Sequence, residues 1–237
     1  MNITNADIKN LKDKRYRREH GLFMMEGDKF CRDLLSTDIE IVYTITSDKG
    51  LVGFPNIVVV SDKMLSSLAT TKTSQSIICI CKVKQFDISS VGNSLILDRV
   101  QDPGNVGTLI RSAMAFGYED IYLIDCADAY SEKVFRSSAG TALSARLHTV
   151  TYQDIYDNKA KISDHFMVAD MSGDRLGKIR LLKGRLSVII GNEGQGVSHA
   201  MRELANITVS IPMSNKVESL NAGVAGSIIM QRLSEVK

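Results

Sequence analysis

Residues 94–125, SLILDRVQDPGNVGTLIRSAMAFGYEDIYLID, set the architecture of the chain. The stretch begins with an apolar run that predicts a buried strand, followed by the turn-forming pair Pro103-Gly104. Helical periodicity then starts at Asn105, a candidate N-cap, and ends at Gly117. Because a second apolar strand follows directly, the stretch predicts two parallel strands joined by a helix, the repeating unit of an α/β fold.

The same alternation continues towards the C-terminus. Further strands are predicted at 166–171, 186–196 (running into a glycine-rich loop) and 206–214, and further helices at 132–145, 197–205 and 219–236. This order predicts a mostly parallel sheet with helices on both faces. In open sheets of this kind ligands bind beyond the carboxyl ends of the strands, so the loops that follow the strands are the candidate site.

The alternating strand and helix patterns of the N-terminal third predict a separate, smaller α/β unit. A strand and turn are predicted at 22–27 and buried strands at 39–46, 56–61 and 76–83. Helices are predicted at 5–18, 28–36 and 61–70, the last capped by Ser61. Between residues 84 and 93 the apolar periodicity lapses and small polar residues take over. We therefore predict two domains, 1–84 and 92–237.

The basic charge of the chain is concentrated near its N-terminus. Over 237 residues, 29 basic and 27 acidic side chains give a net charge of only +2, which argues against a dedicated nucleic-acid coat protein. Residues 9–20 nevertheless hold six basic side chains against two acidic ones, a local charge of +4 that leaves −2 for the remainder. Such a run is either a solvated face or a surface that contacts RNA phosphates, with Lys14, Arg15, Arg17 and Arg18 as candidate contacts.

The cysteines and the apolar runs exclude several classes of protein. Cys31, Cys79, Cys81 and Cys126 form no CxxC pair, and no nearby histidine pair completes a zinc set, so we expect buried reduced thiols and no metal. No run approaches the roughly 18 apolar residues of a membrane helix, and the N-terminus lacks the apolar stretch of a signal peptide. We therefore expect a cytoplasmic protein that does not enter a membrane.

Two segments at predicted strand ends carry residues suited to a functional site. In DPGNVGTLIR (102–111), Arg111 shares a helix face with small side chains, so it is either a solvent-facing arginine or one with room beside it for a ligand. In GNEGQG (191–196), three glycines let backbone groups approach a ligand, although a tight structural turn explains them equally well. This loop matches neither common phosphate-binding signature, and Glu193 favours a cation or a hydrogen-bond donor over a phosphate.

A third segment, IPMSNKVESLNAGVAG (211–226), follows the last predicted strand. Ser219 is placed to cap the final helix, and Asn221 then falls in the first helical turn, where stability does not require an amide. Gly223 and Gly226 thin one side of the helix and permit close packing against another helix or another subunit. Each signal alone is weak, and their succession at strand ends suggests one shared site.

These three segments, in this order, resemble the three motifs of the SpoU (TrmH-like) branch of the SPOUT RNA methyltransferases. The resemblance covers residues 95–234, and it departs from the family at Asn215, where glycine is commoner, and at Ala222-Gly223, where Val-Ser is commoner. More weakly, residues 5–83, and FMMEGDKFCRDLL above all, resemble the ribosomal-protein-like substrate domain that often precedes this catalytic domain.

The resemblance implies a fold, a cofactor and an activity. It implies that the C-terminal domain is a trefoil-knotted parallel-sheet domain that binds S-adenosylmethionine and forms a homodimer with active sites at the subunit interface. It implies methylation of ribose 2′-hydroxyls in tRNA or rRNA. The candidate catalytic residues are Asn105, Arg111, Glu193, Ser219 and Asn221, and the candidate cofactor-binding residues are Gly191, Gly194, Ile211, Met213 and Leu220.

Arg111 is the family's candidate base, but its chemistry argues for another role. A guanidinium keeps its proton at neutral pH and is therefore a poor base. We expect Arg111 instead to bind the adjacent phosphate and to stabilise the developing alkoxide. Ser219 and Asn221 would then fix the ribose, and the proton would leave through a phosphate oxygen or water.

Two other functions are weaker interpretations of the same residues. A non-catalytic RNA-binding or ribosome-assembly protein on this scaffold has no need of the complete set of candidate catalytic residues. A nucleotide-binding enzyme using GNEGQG would lack the lysine of a phosphate loop. The sequence therefore favours an RNA 2′-O-ribose methyltransferase acting on rRNA, with tRNA as the second choice. It identifies neither the nucleotide nor whether naked RNA or a ribosomal particle is the substrate.

Overall fold

The computed structural model describes residues 4–70, 76–178, 183–214 and 216–235. The chain divides into two compact units, Met1–Lys84 with Tyr130–Phe135 and Gln85–Ala129 with Arg136–Lys237. The segment Tyr130–Phe135, which the sequence assigned to the second domain, clusters with the first unit. The domain limits 1–84 and 92–237 stay a prediction.

The first unit is a four-stranded mixed sheet with short helices. Its elements are α1 (Asn5–Asn10), α2 (Lys14–His20), β1 (Leu22–Glu26), α3 (Asp28–Leu34), β2 (Ile41–Thr46), β3 (Ile57–Val59), α4 (Asp62–Leu68) and β4 (Ile77–Lys82). The strand order is β1-β4-β2-β3, in which β4 is antiparallel to both neighbours and β3 is parallel to β2. The predicted cap of α4 is confirmed, since the Ser61 hydroxyl accepts a hydrogen bond from the Met64 N–H.

Two predictions for this unit are wrong. The single helix predicted at 5–18 is two helices, because the Asp13 carboxylate caps a new helix by accepting hydrogen bonds from the N–H groups of Arg15 and Tyr16. The strand predicted as buried at 56–61 is the edge strand β3, in which Val58 and Val59 are 42% and 48% exposed.

The structure also reduces the set of candidate RNA contacts. Arg17 is buried, and its guanidinium donates a hydrogen bond to the Leu11 carbonyl, which ties α2 to the end of α1. Arg15 and Arg18 are exposed and Lys14 is half-buried. Arg17 therefore has a structural role, and Lys14, Arg15 and Arg18 remain as candidate phosphate contacts.

From residue 94 onward the strands form one parallel sheet, as predicted. The elements are β5 (Ser94–Asp98), α5 (Pro103–Ala115), β6 (Asp120–Ile124), α6 (Glu132–Ser137), β7 (Arg146–Val150), α7 (Tyr152–Ile162), β8 (His165–Arg175), β9 (Leu186–Gly191), α8 (His199–Leu204), β10 (Ile207–Ser210) and α9 (Ala222–Glu235). The strand order is β10-β8-β9-β5-β6-β7, and every neighbouring pair is parallel.

The segment 132–162 differs from its prediction. The helix predicted at 132–145 ends at Ser137, because Ala139 and Gly140 adopt left-handed backbone angles (φ 52° and 86°) before a short 3-10 helix. The strand β7 and the helix α7 were not predicted. Polar Arg146 and His148 interrupt the apolar pattern of β7, and the fold satisfies both through Asp120 on the neighbouring strand.

The order of the strands brings two of the sequence motifs together. From β5 the chain proceeds through β6 and β7 on one side, whereas β9, β8 and β10 lie on the other, so the order reverses between β5 and β9. In their register Asp98 lies opposite Gly191, and the loops that follow the two strands leave the sheet side by side. Since strand order does not define how the chain is threaded, the trefoil knot stays a prediction.

The structure also bears on the cysteines, on metal binding, on membrane helices and on Asn215. All four cysteines are buried thiols that form no disulfide, as predicted. Within the described ranges, no cluster of three histidine, cysteine or acidic side chains is arranged to hold a metal ion. The helices in those same ranges are all too short or too polar to cross a membrane. Asn215, where the sequence departs from the family pattern, lies outside the described residues.

Candidate active site

A cavity of about 790 Å³ opens at the carboxyl ends of β9 and β10, beside β8. Its volume lies in the range of small-molecule sites, about 300–1,000 Å³. The lining includes the five candidate cofactor-binding residues, Gly191, Gly194, Ile211, Met213 and Leu220, together with Glu193, Ser219 and Asn221 of the candidate catalytic set. The predicted placement of the site beyond the strand ends therefore agrees with the geometry of this unit.

The glycine loop, residues 191–197, is a tight turn whose tip lines the cavity. Asn192 and Gly196 exchange two backbone hydrogen bonds, and the Asn192 side-chain oxygen accepts from the N–H groups of Gly194 and Gln195 at 3.0 Å each. A Cβ on Gly191 would overlap the backbone at Gly196, which itself has a φ of 67°. The sequence left a structural turn and a binding loop as alternatives, and the structure shows a tight turn that also lines the cavity, so the two do not exclude each other.

Glu193 anchors this loop to the start of α5. Its Oε1 accepts hydrogen bonds from Asn105 Nδ2 at 2.8 Å and from the Asp102 N–H at 3.2 Å, and its Oε2 accepts from the Gln101 N–H at 3.3 Å. Partial burial works to raise the pKa of Glu193, but these hydrogen bonds outweigh it and the pKa is lowered. Glu193 is therefore an ionised anchor and a poor proton acceptor at neutral pH.

Asn105 continues the chain of hydrogen bonds to the last helix. Its Oδ1 accepts from Asn221 Nδ2 at 2.8 Å, and Asn221 Oδ1 accepts from the Val224 N–H at 3.2 Å. Three polar side chains, Glu193, Asn105 and Asn221, thus join the loops after β5 and β9 to the start of α9.

Two predicted helix caps are wrong in this region. The cap of α9 is Asn221, which directly precedes the helix, and Ser219 lies two residues too early to serve. The cap of α5 is Asp102, whose carboxylate accepts from the Gly104 N–H, while Asn105 lies inside the first turn. Neither Ser219 nor Asn105 is therefore used as a helix cap, and Asn105 instead bonds Glu193 and Asn221.

The other two candidate catalytic residues are placed differently from this group. Ser219 is exposed on the cavity wall, and its hydroxyl makes no hydrogen bond to any residue that the structure describes. Arg111 is exposed on α5, outside the lining of the cavity, and has no ion pair with the described residues. Six residues along a helix separate it from Asn105 by about 9 Å.

Residues that the sequence analysis missed complete the wall of the cavity. Asp170 on β8 forms an ion pair with Arg202 on α8, and Arg202 Nε donates to the Val197 carbonyl at 3.0 Å. The hydroxyl and N–H of Ser172, together with Arg202, lower the pKa of Asp170 to about 2. The position of Asp170 in the predicted strand 166–171 was the available signal, because a charged residue is unexpected in a buried strand.

The charges of the wall indicate which ligand it can accept. Among the described residues of the lining, the carboxylates Asp170, Glu193 and Glu218 outnumber the single cation Arg202, which is already paired. Apolar side chains such as Ile190 and Leu220 supply the remaining surface. The fold and site thus define an α/β protein with a cavity for a partly apolar ligand that carries positive charge and no phosphate.

Comparison with known proteins gives the family. Residues 92–231 match the SpoU rRNA Methylase family, and residues 5–79 match the MRM3-like substrate binding domain. The chain belongs to the SpoU rRNA Methylase family and is an RNA methyltransferase. The family and the class of enzyme that the three motifs predicted are therefore confirmed.

Individual relatives agree with this assignment. The chain is 28% identical over 236 residues to the 23S rRNA (guanosine(2553)-2′-O)-methyltransferase RlmP of Bacillus subtilis, covering 96% of this chain and 94% of that protein. It is 34% identical over 177 residues to an uncharacterized tRNA/rRNA methyltransferase of Synechocystis, covering 72% of this chain and 64% of that one.

Solved structures share the fold. An AdoMet-bound rRNA methyltransferase from Sinorhizobium meliloti superimposes with a TM-score of 0.86 at 23% identity, covering 98% of this chain and 94% of that one. The SpoU methyltransferase AviRb from Streptomyces viridochromogenes, in complex with AdoMet, gives 0.86 at 22% identity, covering 99% and 98%. The predicted α/β SPOUT architecture with a preceding substrate-binding domain is confirmed.

Proposed function

We propose that this chain transfers a methyl group from S-adenosylmethionine to a ribose 2′-hydroxyl of ribosomal RNA. The observation that carries the proposal is the hydrogen-bonded group Glu193–Asn105–Asn221, which holds three polar motif residues at the edge of one cavity. The name of the Bacillus subtilis relative, which spans almost the whole chain, supports both the ribose 2′-oxygen and rRNA as the target. tRNA is the second candidate substrate.

The cavity fits the proposed cofactor. S-adenosylmethionine carries a flat adenine ring with apolar faces and a sulfonium cation, and the wall offers apolar side chains and an excess of carboxylates. Gly191, Gly194, Ile211, Met213 and Leu220 would hold it. When bound, its sulfonium supplies an already activated methyl group, so the protein has mainly to align the reacting atoms and exclude water.

The residues around the cavity have distinct tasks in this proposal. The Ser219 hydroxyl is free to bond the ribose. Asn221 is used twice within the protein, as helix cap and as donor to Asn105, so it positions the wall and contributes at most its remaining hydrogen and lone pair to the ribose. Arg111, exposed on α5, binds the phosphate next to the target and stabilises the developing alkoxide. The proton leaves through a phosphate oxygen or water.

A homodimer is part of the proposal. Val224 and Ile228 on α9 are 45% and 38% exposed, which gives this helix an apolar outer face. Arg111 does not line the cavity of its own chain. An active site shared between two subunits would bring Arg111 of one subunit to the substrate bound at the other. The cytoplasmic location stays a prediction.

The test is a methylation assay with labelled S-adenosylmethionine on deproteinised rRNA, deproteinised tRNA and ribosomal particles. We expect label in rRNA, either naked or in particles, at a phosphodiester that resists alkaline hydrolysis, because a methylated 2′-oxygen cannot attack its phosphate. Label on a base would contradict the ribose assignment, and label in tRNA alone would contradict rRNA. RNA binding without product in any pool would favour the non-catalytic RNA-binding protein.

In the same assay, Arg111→Lys separates the charge of the guanidinium from its two-pronged geometry. We expect at least a tenfold lower single-turnover rate, since an ammonium cannot make the bidentate phosphate contact. Lys159→Arg, a conservative exchange at an exposed position on α7 outside the cavity lining, is the control and should be neutral. A rate near the wild-type value for Arg111→Lys would show that the bidentate contact is not used.

A further inference from the structure

Arg99 occupies a backbone conformation that arginine rarely adopts. It directly follows β5 and has a φ of 61°, in the left-handed region where a side chain is strained. Strained residues persist where surrounding contacts hold them, and they concentrate at functional sites. Arg99 is outside the candidate catalytic set, and it does not line the cavity.

The contacts of Arg99 converge on the glycine loop. Its Nη1 donates to Gln195 Oε1 at 3.0 Å, and its Nη2 lies 3.5 Å from the Gly196 carbonyl oxygen. Its own carbonyl accepts from Asn192 Nδ2 at 2.8 Å. Arg99 therefore contacts the glycine loop at Asn192, Gln195 and Gly196.

The neighbouring carboxylate of Asp98 forms an ion pair with the guanidinium of Arg99 but accepts no hydrogen bond from its Nε. Asp98 is fully buried and lies 3.4 Å from Arg99 Nε, but it already accepts hydrogen bonds from the Tyr152 hydroxyl at 2.7 Å and from the Ser198 N–H at 2.5 Å. Arg99 Nε itself has no hydrogen bond within the described residues. The well-formed side-chain hydrogen bond of Arg99 is the one to the loop.

We propose that Arg99 is a positioning residue that sets the orientation of the glycine loop, and through it the affinity of the site for its cofactor. The hydrogen bonds inside the loop define the shape of the turn but not its angle to the sheet. That angle is set from the β5 side by Arg99 and Glu193 and from the α8 side by Arg202. The inference rests on the proposed function, since the cofactor is taken to be S-adenosylmethionine.

The decisive variant is Arg99→Gly. Glycine adopts the left-handed angle without strain, so this change removes the guanidinium and keeps the backbone. We expect amide hydrogen exchange of residues 192–196 to become at least fivefold faster, while the amides of 188–190 in β9 are unchanged. We expect the KM for S-adenosylmethionine to rise about tenfold with kcat within twofold, because the residue acts on binding and touches no reacting atom. Arg99→Lys should give an intermediate effect.

Lys159→Ala on α7 is the control, since it removes an exposed basic side chain of the same unit away from the cavity and from α9, and it should change neither quantity. Unchanged exchange in Arg99→Gly would overturn the inference whatever the activity. A fall in kcat at constant KM would also overturn it, because it would place Arg99 at the reacting atoms. Faster exchange in a protein whose wild type does not bind S-adenosylmethionine would leave the loop-positioning role supported and reject the proposed function.

Discussion

Asn221 shows that a single side chain can serve stability and the site together. Its amide oxygen caps α9 and its amide nitrogen bonds Asn105, which in turn bonds Glu193. The identity of these residues was predicted from the sequence, but their mutual bonds were not. Residues 105, 193 and 221 are far apart along the chain, and only the packing of three loops determines which amide faces which carboxylate.

Asp120 is a second case in which one residue organises several others. It is buried on β6, where its carboxylate accepts from Arg146 at 2.7 and 2.8 Å and lies 3.0 Å from His148 Nε2. Burial alone would raise its pKa, but the hydrogen bonds and charges of Arg146 and His148 outweigh it and lower the pKa to about 2. The folded state therefore favours the ionised form.

We expect Asp120→Asn to lower the free energy of unfolding at pH 7 by about 2 kcal/mol. A carboxyl with a lowered pKa stabilises the folded state fully above its unfolded pKa, 3.8, and this contribution is lost as the pH falls towards 2. The difference between wild type and variant in urea unfolding should thus shrink to about half by pH 3. The exposed Asp157→Asn on α7 is the control, and a difference independent of pH would contradict the assignment.

At the scale of elements, the turn after β9 shows which glycines the fold requires. Gly191 has no room for a Cβ, because the backbone of Gly196 and Val197 folds back against it. Gly194, at the tip, would place a Cβ at 3.7 Å from Asn192 Oδ1, an ordinary contact. The two positions look equivalent in the sequence, and the structure separates them.

We expect Gly191→Ala to destabilise the second unit by about 1–3 kcal/mol, since the loop must move to admit a methyl group. Thermal unfolding would show this as a midpoint lowered by several degrees. Gly194→Ala, the matched control in the same loop, should leave the midpoint unchanged within error. Equal effects of the two variants would mean that the tip is as constrained as the base of the turn.

Some helices and strands could be predicted from neighbouring residues alone, and others could not. The prediction of α5 between β5 and β6 was correct because its periodicity and its ending glycine are local signals. The strand β7 was missed because Arg146 and His148 break its apolar pattern, and their partner Asp120 lies on another strand. The segment 5–18 was predicted as one helix because its capping aspartate stands within a run of charges.

At the scale of the whole molecule, the uneven charge of the chain suggests a division of tasks. The excess of +4 lies at residues 9–20 in the first unit, and the cavity in the second unit is lined mainly by carboxylates and apolar groups. Phosphate contacts supply affinity without reading sequence and weaken steeply with salt. We therefore propose that the first unit attracts RNA and that the second binds the cofactor.

We expect neutralisation of Lys14, Arg15 and Arg18 to glutamine to weaken RNA binding and to reduce the slope of log K against log[salt] by about 2–3. Affinity for S-adenosylmethionine, measured by calorimetry, should not change. Lys29→Gln with Lys63→Gln, two exposed lysines on α3 and α4, is the control. Equal loss of affinity for RNA and for S-adenosylmethionine would contradict the division of tasks.

Local sequence patterns were sufficient for the parallel α/β architecture, for most elements and for the part of the cavity wall that the three motifs supply, because periodicity, turn residues and motifs act over a few neighbouring residues. The partners of each functional side chain were settled by long-range packing. Arg99, Asp170 and Arg202 lie far apart along the chain, and no local pattern specifies their partners. The charge of Asp170 within a predicted buried strand marked the residue as unusual but did not identify Arg202 as its partner. Their roles exist because parallel strands place loops distant along the chain side by side at one edge of the sheet.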